Sequence, residues 1–126
     1  MSTVVATGEN FNDLIEKNGI VLVDFWAAWC GPCRAFAPTF EAASQKHTDV
    51  VFAKVDTDAE QELSGAFRIR SIPTLMLFRD EVLLFEHAGM VPAEALDEII
   101  EKAKSLDMAE VKAKIAAADA AQSSAS

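Results

Sequence analysis

Five residues, Trp29-Cys30-Gly31-Pro32-Cys33, stand between two stretches of different periodicity, and that placement limits what the chain can fold into. The run Val21-Leu22-Val23-Asp24-Phe25 before them reads as a buried strand, and Arg34 to about Gln45 reads as a helix. A Cys-x-x-Cys at such a junction holds its first sulfur at a helix N-terminus, where unpaired backbone N–H groups and the helix dipole favour negative charge. The thiol pKa then falls below its ordinary value, and a useful thiolate fraction exists at neutral pH. Thiolate is the form that attacks a disulfide, so the pair predicts a reversible redox switch.

Composition narrows the rest. A chain of 126 residues, 51% hydrophobic and 25% charged, can bury one real core without disulfide staples. The formal charge of −9 argues against nucleic acid and against anionic membrane surfaces, since both call for clustered Lys and Arg. No run approaches the roughly 18 apolar residues of a membrane span. Met1 to Asn10 lacks the basic start and apolar centre of a signal peptide, so a cytoplasmic location is expected. The two cysteines form one tight pair, whereas a secreted staple usually closes a longer loop.

Along the chain, Thr3 to Ala6 suits a short strand, and Phe11, Leu14 and Ile15 share a helical face that ends at Asn18-Gly19. Ile20 to Phe25 has the β-branched, nearly continuous apolar character of a central strand. Phe36, Phe40 and Ala43 line one side of the next helix, and Pro38 inside it predicts a kink. Val50 to Val55 predicts a strand, and Asp58-Ala59-Glu60-Gln61 a capping box opening a short helix to about Phe67. Thr74 to Phe78 and Val82 to Phe85 predict an antiparallel hairpin around Arg79-Asp80-Glu81. Pro92 opens a helix whose buried stripe is Leu96, Ile99, Ile100 and Ala103. This order describes a three-layer α/β domain with a mixed sheet. Beyond Lys104 the chain turns to Ala, Lys and Glu. Asp107 to Ala118 reads either as a separate helix, capped through Asp107 and Glu110, or as a continuation of the one before it. Gln122 to Ser126 reads as a frayed tail.

A metal site needs four ligands, and His47 and His87 lie far apart without finger-like spacing. A static bridge would close too short a loop to stabilise much. Asp24, inside an apolar strand, reads either as a strand-end residue turned to solvent or as a buried carboxyl with a raised pKa beneath the cysteine pair. Pro73 alone is a common strand-start proline, and Lys54 alone an edge lysine.

With Asp24, Trp26 to Cys33, Pro38, Lys54, Ile72-Pro73-Thr74 and Gly89 in collinear order, the chain resembles the thioredoxin family over roughly Val4 to Ala103. The resemblance implies a thioredoxin fold, a central mixed sheet flanked by helices, over residues 1–104; residues 105–126 read as a helical extension beyond an ordinary member of the family. It implies a protein disulfide reductase in which Cys30 attacks, Cys33 resolves, Asp24 serves as general base and Lys54 is its charge partner. The backbone at Ile72, before a cis Pro73, would pair with a substrate chain, and Trp29, Gly31, Pro32, Ala88 and Gly89 would complete the docking rim. Trp26 would pack beneath the site and Arg34 would stay solvated. A monomer binding no cofactor is implied, with electrons coming from NADPH through thioredoxin reductase and passing to disulfide-containing proteins. With Gly31-Pro32 bringing no charge to the thiolate, the resemblance implies a reducing potential near thioredoxin's own value of about −270 mV.

The chain departs from the family pattern at Ala28, Phe67, Glu86-His87 and Met90, none of which removes a reacting group. Asp80-Glu81 stands where Asn-Gly is the usual hairpin turn, which leaves the turn geometry open. The extension past Lys104 reads as a solvated helix on the domain or as a binding element.

Overall fold

A computed structural model describes residues 2–125. Five strands form one mixed sheet: β1 (Thr3–Val5), β2 (Ile20–Trp26), β3 (Val51–Asp56), β4 (Thr74–Arg79) and β5 (Val82–Ala88), in the order β1-β3-β2-β4-β5. β3 runs parallel to both β1 and β2, whereas β4 is antiparallel to β2 and to β5. The helices are α1 (Phe11–Lys17), α2 (Gly31–Lys46), α3 (Gln61–Ala66), α4 (Ala93–Ser105) and α5 (Met108–Ala125).

Side chains alternate across a strand, so β2 divides its residues between two cores. Leu22 meets Phe36, Phe40 and Ala43 of α2 and Leu96, Ile100 and Ala103 of α4, together with Phe52, Leu75 and Leu77. Val21, Val23 and Phe25 meet Phe11 and Ile15 of α1 on the other face, where Leu63 of α3 also packs. The expected helical stripes are thus the buried ones, with Ile99 packed at the margin. Phe25, Phe36, Phe40 and Phe52 are completely buried, each stabilising the fold by about 2 kcal/mol through area removed from water. Pro38 lies inside α2 without ending it.

Two contacts tie the helices to the sheet and to each other. His47, at the C-cap of α2, places Nε2 2.7 Å from Asp97 Oδ1 of α4, while Lys46 Nζ donates to Asp97 Oδ2 at 2.7 Å. Hydrogen bonds from Lys46 and His47 hold the Asp97 pKa below its ordinary value. Arg79 Nη1, at the end of β4, donates to the carbonyls of Ala103, Lys104 and Leu106, satisfying the last carbonyls of α4.

Several local expectations change. Asp58 does not cap α3: Glu60 holds the cap position, and no side chain makes the cap hydrogen bond. Asp56 Oδ1 instead accepts from the N–H groups of Asp58 and Ala59, so the acid closing β3 organises the turn. β5 extends three residues beyond Phe85, and Leu84 is an extra residue between the pairs Leu77–Phe85 and Phe78–Leu83. That bulge twists the exposed edge of the sheet. α5 is a separate helix, because Leu106 is extended (φ −70°, ψ 141°) and Asp107 Oδ1 accepts from Glu110 N–H. It also runs past Ala118, as its high alanine content favours; Ser126 of the expected tail lies outside the described residues.

The β4–β5 hairpin closes through Asp80 (φ 50°) and Glu81 (φ 69°), with Arg79 paired to Val82. Both residues are left-handed, as a two-residue turn of the twist-matched kind demands, and neither is the Gly that adopts it freely. Replacing Asp80-Glu81 with Asn-Gly is therefore expected to raise stability by about 1 kcal/mol, measured by urea denaturation. Unchanged or lower stability would show that the turn carries no strain.

Candidate active site

β2 ends at Trp26, and Ala27 to Trp29 carry the chain to the first turn of α2. Cys30 is the N-cap, Gly31 and Pro32 open the helix, and Cys33 lies within the first turn. The two cysteines are joined by a disulfide, their Cα atoms 5.2 Å apart. Pro32 costs this turn nothing, because its missing N–H has no intrahelical partner to lose. Cys30 Sγ accepts the Cys33 N–H at 3.2 Å. In the reduced protein the same N–H would stabilise negative charge on the first sulfur, as the helix dipole does.

Cys30 is no more open than its partner: the residues are 4% and 3% accessible. Trp26, Ala27 and Ile72 pack around them. The Ile72–Pro73 peptide is cis, and the Ile72 carbonyl oxygen lies 3.6 Å from Cys30 Sγ. The sulfurs thus differ in their neighbours rather than in exposure, with Cys30 beside the backbone edge at Ile72. Gly89 (φ 107°) donates its N–H to the Pro73 carbonyl at 2.7 Å, bringing the Ala88-Gly89 segment against the same turn. Trp29 is 68% exposed, and its Nε1 donates to Asp58 Oδ2 at 3.0 Å, which fixes the indole beside the pair. Gly31, Pro32 and Ala88 are exposed as well. The structure therefore brings the expected docking residues to one side of the molecule. Arg34 is exposed but not simply solvated, since its Nη1 donates to the Ala28 carbonyl at 2.9 Å.

Asp24 is 1% accessible, which removes the solvent-facing alternative. Alternation along β2 sets it on the face of Leu22, the face covered by α2. Neither carboxylate oxygen has a hydrogen-bond partner among the described residues. Burial pushes its pKa up to about 7, with Lys54 pulling weakly the other way. Lys54 pairs with Asp24 in the β2–β3 register, but its Nζ lies 4.8 Å from the centre of the Trp26 ring rather than on the carboxylate. The cation acts on Asp24 through space, without a direct ion pair.

The Asp58 contact to Trp29 is one that the sequence concealed, because the local pattern of Asp58 reads as a helix cap. Only the fold brings it to Trp29, and nothing in residues 58–61 signals that pairing. Among the described residues, no group of His, Cys, Asp and Glu could hold a metal ion, and no helix is long and apolar enough to cross a membrane.

The Thioredoxin family model matches residues 2–102. The chain belongs to the thioredoxin family. It is 50% identical to a thioredoxin-type relative in Streptomyces coelicolor over 115 residues, 91% of this chain and 86% of the other. A Bacillus subtilis thioredoxin is 40% identical over 103 residues, 81% of this chain and 98% of its own. A solved variant of a Halobacterium salinarum thioredoxin superposes with a TM-score of 0.77 at 35% identity, covering 84% of this chain and 95% of that one. The Plasmodium falciparum thioredoxin gives 0.73 at 36% identity, covering 79% and 97%. Thioredoxins are thiol–disulfide oxidoreductases without a prosthetic group, and this chain's cysteine pair at disulfide distance supports disulfide reductase function.

Proposed function

We propose that Cys30 is the attacking sulfur and Cys33 the resolving one in reduction of protein disulfides. In the reduced protein, the Cys30 thiolate attacks one sulfur of a substrate disulfide, forming a mixed disulfide and releasing the other substrate sulfur as thiolate. The Cys33 thiol gives up its proton towards the Asp24 carboxylate and attacks Cys30 Sγ. The second substrate thiolate leaves, and the protein ends as the Cys30–Cys33 disulfide. Two electrons have moved from protein to substrate. The observation that carries this reading is the Cys33 N–H pointed at Cys30 Sγ, at the N-cap of α2 and beside the Ile72 carbonyl.

Asp24 supports the second step by being buried on the α2 face with a pKa near neutrality, where a carboxyl can both take and release a proton. Lys54 biases that equilibrium. The Ile72 backbone would hold an extended substrate segment by strand-like pairing, with Trp29, Gly31, Pro32, Pro73, Ala88 and Gly89 around it. Pairing of this kind reads no side chain and admits many substrates. Residues 1–104 form the redox unit in this reading, and residues 105–126 an appendage to it. The protein works as a cytoplasmic monomer, re-reduced by thioredoxin reductase at the expense of NADPH.

Purified protein kept reduced by dithiothreitol in excess over the substrate disulfides is expected to accelerate reduction of a protein with accessible interchain disulfides, read as loss of its cross-linked form. No acceleration over dithiothreitol alone would contradict the proposal.

A further inference from the structure

Beside the cysteine pair lies a groove of about 340 Å³ lined by Trp29, Gln61, Ser64, Arg70, Ser71 and Ile72, with Thr57, Gly65 and Ile69 completing it. It shares Ile72 and Trp29 with the surroundings of the disulfide, so a chain paired along Ile72 passes over it. Arg70 is the one charged residue in its lining. The guanidinium is exposed and has no carboxylate or hydrogen-bond partner among the described residues. Four acids flank the wall residues Thr57 and Gln61 in sequence; of these, Asp58 is engaged by the Trp29 indole, and Asp56 accepts the Asp58 and Ala59 N–H groups. Glu60 and Glu62 line an adjoining hollow that shares Gln61 with the groove and also holds Asp58, and Glu60 Oε1 accepts the Gly8 N–H. In a chain of net charge −9, the groove lining itself carries a single positive charge and no negative one. The remaining polar groups suit a carboxylate too: the Ser71 hydroxyl and the Gln61 amide, which also donates to the Asp58 carbonyl at 3.3 Å.

We propose that this groove is an acidic-residue subsite, and that Arg70 selects substrate chains carrying a carboxylate near the attacked cysteine. The proposal rests on the reductase reading and adds a substrate preference to it. Arg70 lies two residues before Ile72, so an extended partner would bring to it a side chain about two residues from the cysteine. A planar guanidinium presents paired donors to a carboxylate, which gives direction as well as charge. The long-range field of an acidic protein works against such a substrate and favours a basic one. The two effects predict opposite rankings, which makes the subsite separable from net charge.

The test uses the full chain, reduced, and short single-cysteine peptides activated as mixed disulfides with a chromogenic thiol, whose release reports exchange. Glu, Gln or Lys is placed two residues before or after the cysteine. At low salt the Glu peptide is expected to react roughly threefold faster than the Gln peptide in at least one placement, with the Lys peptide slowest. The ranking should collapse at about 0.5 M salt, where the screening length is only a few ångströms. Arg70→Glu is expected to invert it, and Arg70→Lys to retain it in part. Lys peptides reacting fastest with the native chain, or a ranking that Arg70→Glu leaves unchanged, would overturn the subsite while the reductase reading stands. Failure to reduce even the Gln peptide would overturn both.

Discussion

Replacing Asp24 with Asn is expected to stabilise the oxidised protein by about 4 kcal/mol at pH 8 and to change it little at pH 4. The carboxyl is buried with both oxygens unpartnered, and its pKa stands near 7 instead of 3.8. Three pKa units correspond to about 4 kcal/mol. The native state holds this proton over a range where the unfolded chain has already released it. Native stability must therefore fall as pH rises from about 4 to about 7, and level off above that. Below pH 4 both states are protonated and the penalty vanishes. Asn keeps the shape without the charge, so its advantage should grow over the same window. Urea denaturation at a series of pH values measures it. A native chain with flat stability between pH 4 and 8, or an Asn variant with no gain at pH 8, would mean that Asp24 is solvated or paired. A buried, unpaired acid that costs this much suits a group retained for proton transfer rather than for the fold.

The second large effect concerns the cysteines. Cys30→Ser is expected to abolish disulfide exchange, because a hydroxyl at the N-cap supplies no thiolate to attack. Cys33→Ser should still attack but not resolve, so a covalent protein–substrate species accumulates, and mass spectrometry detects it as the summed mass. The two outcomes differ because only Cys30 accepts the Cys33 N–H and lies beside the Ile72 carbonyl. Equal trapping by both variants would deny any division of labour between the sulfurs. Retained exchange in Cys30→Ser would remove Cys30 as the nucleophile.

Where neighbours in sequence are neighbours in space, the residues announce the structure. β2, the cysteine junction, α2 with Phe36 and Phe40, and the Leu96–Ile100 stripe follow from periodicity and end signals alone. The reacting pair is local for the same reason. What escapes is tertiary. Asp58 reads as a cap by its spacing, yet the fold spends it on Trp29, thirty residues back in round figures. His47 and Asp97 are ordinary surface residues in the sequence, and they join only because α2 and α4 share a face of the sheet. The bulge at Leu84 leaves no mark in a run of apolar residues, since period-two alternation there is already weak. Arg68 (φ 56°), Asp80 and Glu81 take backbone shapes that their side chains disfavour, so composition does not signal the geometry of the turns they make. Asp24 lies between these extremes. Its presence in an apolar strand was visible, but burial without a partner could be seen only once α2 covered it.

Whether the Cys30–Cys33 pair is a reducing one is read straight from its redox potential. Equilibrating the protein against glutathione mixtures and following Trp fluorescence measures it, since Trp26 packs against the pair and Trp29 precedes it. A reducing pair should give a value near thioredoxin's own, about −270 mV. A value of about −180 mV or higher would contradict it and describe an isomerase or oxidase instead.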